Sequence, residues 1–207
     1  GVALNESIGI GKGTVRLEDF DKADLIVVVG QNPGTNHPRM LSALKSAKKS
    51  GASILSINPL KETGMRRFRH PQSPIDMLGA GTQISDDHVD IKVNGDMALF
   101  RAIGSIILDK GVHDMDFINL NTTGFLDYAS IARAVDWGLT EELTGQSRDR
   151  IYEISDYFCR SKRTIVCWAM GITQHKNSVN TIREIMNVLL LKGCLLYTSD
   201  AADEMDG

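Results

Sequence analysis

The stretch Asp24-Leu25-Ile26-Val27-Val28-Val29-Gly30 decides the fold. Residues 25–29 are all apolar and mostly β-branched, so the run has no polar face. Strands of this kind are buried on both sides, as in parallel sheets; a half-exposed antiparallel strand would alternate. Gly30 closes the run and a polar loop, Gln31–His37, follows. Pro38 suits a first helical turn, where its missing N–H would have no partner anyway. Met40, Leu41, Leu44 and Ala47 recur at helical spacing, which turns Lys45, Lys48 and Lys49 toward water. Gly51 stops the helix. Ala52-Ser53-Ile54-Leu55-Ser56-Ile57 then reads as a second strand, completing a βαβ unit.

The same alternation continues toward the C-terminus. Residues 61–87 carry Pro, Gly, Ser and Arg with little periodicity, and such a stretch inside a compact domain is usually functional or disordered. Val89–Val93 predicts a short strand, and Asp96 stands at the expected N-cap of a helix bearing Leu99, Phe100, Ile103, Ile106 and Ile107. Residues 114–138 suggest short helices and turns. Ser147–Ser161 predicts a helix with Ile151, Ile154, Tyr157 and Phe158 inward, and Thr164–Trp168 another buried strand. After a loop at Ala169–Asn177, Val179, Ile182, Ile185, Met186, Leu189 and Leu190 mark one face of a last helix. The pattern predicts an α/β protein: a doubly wound, mainly parallel sheet with helices on both faces, a Rossmann-like dinucleotide-binding region.

Composition bounds the function. The 207 residues, 42% hydrophobic and 24% charged, suffice for one globular domain. A net charge of −3 gives no basic excess for nucleic acid. The most apolar C-terminal run is broken by Lys192, so no membrane segment is expected. Cys159, Cys167 and Cys194 have neither metal-ligand spacing nor a disulfide framework, which favours a reducing, cytoplasmic setting. His37, His70, His88, His113 and His175 are scattered without zinc-type spacing. Gly9-Ile10-Gly11-Lys12-Gly13-Thr14 is not a P-loop, because Gly13 separates Lys12 from Thr14 and no strand precedes it. The basic cluster at residues 66–70 suits either phosphate or a solvated face.

Both ends carry expectations of their own. The chain opens on Gly1-Val2-Ala3-Leu4 without Met, so a true start and any targeting segment are expected upstream. Residues 194–204 continue none of the preceding helical pattern and resemble the one-frame translation of a transposase-type sequencing adapter. Residues 1–193 are therefore expected to be a native fragment, and residues 194–207 a non-native tail. Without that tail, 23 basic face 22 acidic groups.

In doubly wound sheets, ligands bind beyond the carboxyl ends of the strands. Two loops fall there: Gly30-Gln31-Asn32-Pro33-Gly34-Thr35-Asn36-His37-Pro38 and Ala169-Met170-Gly171-Ile172-Thr173-Gln174-His175. Glycine lets backbone approach a ligand, and a helix start offers N–H groups to phosphate. The residues alone point to a nucleotide-like ligand; glycines that serve only as tight turns are the competing reading.

Gly30–Met40, then Asn94-Gly95-Asp96-Met97-Ala98-Leu99, then Trp168–His175 together resemble the molybdopterin oxidoreductases of the dimethyl-sulfoxide-reductase superfamily. Within it, Gly-Gln-Asn-Pro-Gly-Thr-Asn-His-Pro-Arg-Met resembles the formate-dehydrogenase-like alpha-subunit branch. The resemblance implies a molybdenum bis(molybdopterin guanine dinucleotide) cofactor, a 4Fe-4S cluster in an N-terminal part that these residues do not include, a small formate-like substrate and an electron-transfer subunit as partner. It implies that Gly30, Gln31, Asn32, Pro33, Gly34, Thr35 and Asn36 line one dinucleotide. Asn58, Lys61, Asn94, Gly95 and Asp96 would hold its nucleoside end, with Met170, Gly171 and Gln174 near the pterin. Asn32 suits pyrophosphate oxygens, Asp96 suits ribose hydroxyls or guanine N–H groups, Gln174 a pterin edge, and Met170 an apolar contact beside the rings.

Many relatives carry an acid where Thr35 or Asn36 stands, Asp at Asn58 and Gly at Ala169, which bears on the substrate. The family's molybdenum-ligating Cys or selenocysteine is expected a few residues before Gly1. A nicotinamide dinucleotide domain is the alternative, but its Gly-x-Gly-x-x-Gly is missing from Gly30–His37. A relative that has lost catalysis and serves as an interaction module is a further alternative.

Overall fold

The computed structural model describes residues 1–66, 68, 82–194 and 197–198. Arg67, Arg69 and His70 of the basic cluster lie outside the described residues, as does most of the tail.

Two short helices, α1 (Val2–Ile8) and α2 (Leu17–Phe20), precede strand β1 (Leu25–Val29). The chain continues through α3 (Pro33–Asn36), α4 (Pro38–Lys49), β2 (Ser53–Ile57), α5 (Thr63–Arg66) and β3 (Asp87–Val89). A helical section follows: α6 (Asp96–Asp109), α7 (Met115–Asn121), α8 (Phe125–Arg133), α9 (Trp137–Thr144) and α10 (Arg148–Arg160). β4 (Thr164–Trp168), α11 (Met170–Thr173), α12 (Ser178–Leu191) and β5 (Tyr197–Thr198) complete it. The five strands lie in the order β3-β2-β1-β4-β5, and every pairing is parallel.

The unbroken apolar strands follow from this arrangement. In β1, Leu25, Val27 and Val29 join the core beneath α6, α10 and α12, while Ile26 and Val28 join a second core beneath α2 and α4. β4 divides likewise, with Val166 and Trp168 on the first side and Ile165 and Cys167 on the second. Both faces are covered, so the strands are mostly apolar, and the buried Ser56 and Thr164 hydroxyls lie within hydrogen-bond distance of His88 Nδ1 and Ser161 Oγ. Opposite the candidate site, Asp24 ties the start of β1 to the turn before β4. It accepts from the Ser161 hydroxyl and from the N–H groups of Lys162 (3.1 Å) and Arg163 (3.0 Å). Burial raises its pKa, but these donors outweigh burial and leave the carboxyl below its ordinary value.

Several sequence expectations are corrected. The third strand is Asp87–Val89, not Val89–Val93: beyond Val89 the chain leaves the sheet, and Lys92 N–H bonds Thr144 O at 3.0 Å. Asp96 does not cap α6. Gly95 is the N-cap, Asp96 is the first helical residue, and no side-chain cap bond is made. Lys45 is buried rather than turned to water. The loops at Gln31–His37 and Ala169–Asn177 each enclose a single helical turn, α3 and α11. Leu190 is only half-buried, while Thr181, Glu184 and Val188 are buried, so α12 is covered on most sides. Apart from these corrections, Cys194 is buried, its thiol 3.2 Å from Lys162 O, and Tyr197–Thr198 pair with Val166 and Cys167.

Candidate functional site

From β1 the chain winds outward through β2 to β3, then returns to β4 on the other side of β1. The strand order reverses between β1 and β4, so a crevice opens beyond their carboxyl ends. The loops predicted to bind ligand leave from these two strands. Three longer helices, α4, α6 and α12, start just after β1, β3 and β4, as helices in parallel units do. Their N-termini give that edge a positive dipolar field suited to anions.

The two loops are locked backbone to backbone. Gly30 adopts φ +57, the left-handed region that glycine enters without penalty. Its N–H bonds Ile57 O at 3.0 Å, and its carbonyl accepts from Gly171 N–H at 3.1 Å. A Cβ on Gly30 would lie 2.9 Å from the Gly171 carbonyl carbon. A Cβ on Gly171 would overlap the Gly30 carbonyl oxygen and lie 2.8 Å from Gly30 Cα. A second glycine pair braces α3: a Cβ on Gly64 would lie 2.7 Å from Gly34 Cα. Gly34 thus has a packing role at the α3–α5 contact, whatever it does for a ligand.

Around this lock the first loop is partly self-satisfied. Asn32 caps α3, its Oδ1 accepting from Thr35 N–H at 3.3 Å. Gln31 is buried; its Nε2 lies 3.3 Å from His37 Nδ1, and its Oε1 has no partner among the described residues. Pro33 is buried as the first residue of α3, Thr35 is exposed, and Asn36 ends the turn. Gly171 and Gln174 are exposed, as is Met170, and Gln174 Nε2 lies 3.3 Å from Met170 Sδ.

Asn94, Gly95 and Asp96 join the β4 loop. Asn94 has φ +70 and accepts from Asn177 Nδ2 at 3.5 Å. Gly95 has no room for a side chain, since a Cβ would lie 2.6 Å from Leu143 O. Asp96 is 6% exposed, and burial pushes its carboxyl up to about 6. Its own backbone N–H and the neighbouring charge of His175 draw that value down only in part. Sequence reasoning missed His175 and Asn177 as members of the site; their place just before the N-terminus of α12 was the signal available.

Asn58 and Lys61 stand farther out. Asn58 N–H bonds Val89 O at 3.1 Å, and Lys61 is exposed, its Nζ 3.6 Å from Asp90 Oδ2. Lys61 lines a cleft of about 750 Å³ beside β3, apart from the switch point. The structure therefore brings together Gly30–Asn36, Asn94–Asp96 and Met170–Gln174, with Asn58 and Lys61 one strand away.

The fold and the placement of its loops define a doubly wound, Rossmann-like α/β protein. A family model described as molybdopterin oxidoreductase matches residues 5–199, and the chain belongs to that family. It is 44% identical over 201 residues to an uncharacterized oxidoreductase of Mycobacterium tuberculosis, covering 94% of this chain and 26% of that protein. With formate dehydrogenase H of Escherichia coli it shares 28% identity over 192 residues, covering 93% and 24%. Acetylene hydratase from Pelobacter acetylenicus has the same fold, with a TM-score of 0.76 at 18% identity, covering 92% and 24%. The chain thus spans about a quarter of the length of the curated relatives it matches. Among the described residues, no helix is long and apolar enough to cross a membrane.

Proposed function

We propose that the chain is part of a molybdenum-dependent oxidoreductase acting on a small, formate-like substrate, and that its switch-point loops hold a molybdopterin guanine dinucleotide. The observation that carries this reading is Asp96: a buried carboxyl whose pKa burial pushes up to about 6, a rise that its own backbone N–H and the charge of His175 in the β4 loop offset only in part. A buried acceptor of this kind calls for donors, and ribose hydroxyls or guanine N–H groups supply them. The positive ends of three helices suit the phosphates, and the absence of Cβ atoms at Gly30 and Gly171 lets the two loops close beneath a flat ligand.

When bound, the molybdenum bis(molybdopterin guanine dinucleotide) supplies the oxidation and reduction; this chain supplies binding and orientation. Asn32 offers amide N–H groups, and Gln31 a buried carboxamide with one end unpaired among the described residues. Gln174 offers a donor and an acceptor, and Met170 an adaptable apolar surface. In this reading Asn58 and Lys61, one strand away, hold the nucleoside end. In the whole protein this reading adds a 4Fe-4S cluster, an electron-transfer partner and a cytoplasmic setting.

The test is molybdenum and guanine nucleotide content per purified full-length chain. Asp96→Ala leaves ligand donors unpaired, which costs about 1–3 kcal/mol, or one to two decades in cofactor retention. Gln174→Ala lowers loading as well. Wild-type loading in both variants overturns the assignment.

A further inference from the structure

Residues 61–87 show little periodicity in sequence, yet the first helical turn among them rests against the proposed ligand loop. That turn is α5, and its Gly64 meets Gly34 in the middle of α3. A Cβ on Gly64 would lie 2.7 Å from Gly34 Cα and 3.3 Å from Gly34 N. From the other side, a Cβ on Gly34 would lie 3.0 Å from Gly64 Cα and 3.3 Å from Asn32 Oδ1. The contact is backbone on backbone, so no side chain can rotate aside to relieve it. Asn32 caps this same turn by accepting from Thr35 N–H. The glycine contact and the Asn32 carboxamide are therefore neighbours within one turn of helix.

The two sides of the contact are not held equally. In α5, Met65 is buried, and its carbonyl accepts from Ser85 N–H at 2.9 Å and from Ser85 Oγ at 3.0 Å. Ser85 is itself buried. Its neighbour Asp86 is tied to β2: its N–H donates to Ile54 O and its Oδ2 accepts from Ile54 N–H, both at 2.8 Å. Beyond α5, Phe68 and Thr82 exchange N–H to carbonyl bonds at 2.8 and 2.9 Å. Thus α5 is anchored to the sheet through a buried serine, whereas α3 is a single turn with Gly34 and Thr35 exposed. When the two are pressed apart, α3 gives way.

We infer that Gly64 is a positioning residue for the ligand loop: by admitting α3 to backbone contact, it sets where Asn32 and its turn stand. The loop is then held at two places, Gly30 against Gly171 and Gly34 against Gly64. A loop ordered in advance binds at less cost than one ordered by its ligand. Ordinary carbon–carbon contact is about 3.5–4.0 Å, so a methyl on residue 64 asks for a displacement of roughly 1 Å. Binding groups keep their geometry only within about 0.5 Å. One methyl at this contact is therefore enough to misplace the loop. The inference rests on the nucleotide reading above.

The test titrates guanosine diphosphate calorimetrically into the full chain. Gly64→Ala weakens binding about three- to tenfold, the scale of one misaligned hydrogen bond. Gly138→Ala, whose methyl would meet only Asp136 Oδ1, leaves binding unchanged. The second readout is hydrogen exchange at the Thr35 amide in the ligand-free chain. This N–H is exposed and opens by local fluctuation, so a mere loss of global stability does not move it. It exchanges faster in Gly64→Ala and at the wild-type rate in Gly138→Ala. Unchanged affinity in Gly64→Ala overturns the inference, as does weakened affinity with Thr35 exchange unchanged. A wild-type chain that does not bind the probe counts against the nucleotide reading instead. Thr35 exchange then decides the positioning role alone: a faster rate in Gly64→Ala upholds it, and an unchanged rate overturns it.

Discussion

The N–H of Gly171 meets the carbonyl of Gly30 at 3.1 Å, and neither position has room for a Cβ. This contact joins the first and last loops of the switch point directly, with no side chain between. Gly171→Ala must push two backbones apart, because the atoms in the way are main-chain atoms and cannot rotate aside. It should cost roughly 1–3 kcal/mol of stability, as overpacking typically does. Gly138→Ala is the control: its Cβ would meet only Asp136 Oδ1, at 3.5 Å, inside a helix that gains from Ala. That change should be neutral or stabilising by up to about 1 kcal/mol. Urea denaturation of the two variants measures the difference, and equal stabilities would remove the lock from the account.

A second expectation concerns the helical layer behind the site. Glu184 on α12 is buried, and its Oε1 accepts from Arg101 Nε at 2.9 Å and Nη2 at 2.6 Å. Tyr128 lies against the same group. Burial first, then the Glu184 charge, raises its phenol well above the ordinary value. Arg101→Met removes the cation and strands a buried carboxylate, which should cost on the order of 3–5 kcal/mol near neutral pH. Arg101→Met combined with Glu184→Leu should recover most of that loss, since packed apolar groups often replace a buried pair without penalty. Failure of the second substitution to rescue the first would show that Arg101 acts through packing alone.

Strands β1, β2 and β4, the sheet class and two of the three candidate loops were legible because their signals are local. Leu25–Val29 and Ile165–Trp168 are apolar throughout, and burial on both faces explains that. The third strand was misplaced because Asp87 and His88 are polar; their strand geometry comes from pairing with Leu55 and Ser56, a tertiary contact no window of residues contains. Asp96 was read as a cap by residue type, but Gly95 takes that place because a side chain there would strike Leu143 O. That obstruction comes from the end of α9, some fifty residues away in sequence, and is invisible in any local window. Lys45 was assigned to water by helical spacing, yet it is buried. The contribution of His175 was missed for the same kind of reason: its relation to Asp96 exists only once α6 and α12 stand side by side.

The displaced cap gives the most direct prediction. A carboxyl capping a helix would be held in its charged form; Asp96 is instead driven toward its neutral form, its pKa raised from 3.8 to about 6 by burial. Between those values the folded, ligand-free chain keeps a proton that the unfolded chain has released. Folding stability from this group is therefore complete below about pH 4, falls as pH rises toward 6, and is level above that. The loss is on the order of 3 kcal/mol at neutral pH, from the size of the shift and the near-complete burial. Asp96→Asn removes it. The difference in unfolding free energy between Asp96→Asn and wild type should grow in favour of the variant from pH 4 to pH 6.5 and then stay constant; taking the difference cancels groups common to both chains. The same variant should load less cofactor in the full-length protein, because asparagine offers ligand donors only a neutral acceptor. A stabler chain with poorer loading is what a site strained for its ligand produces. A difference flat with pH would mean that Asp96 ionises freely in the folded chain, and the case for a buried acceptor awaiting donors would fall with it.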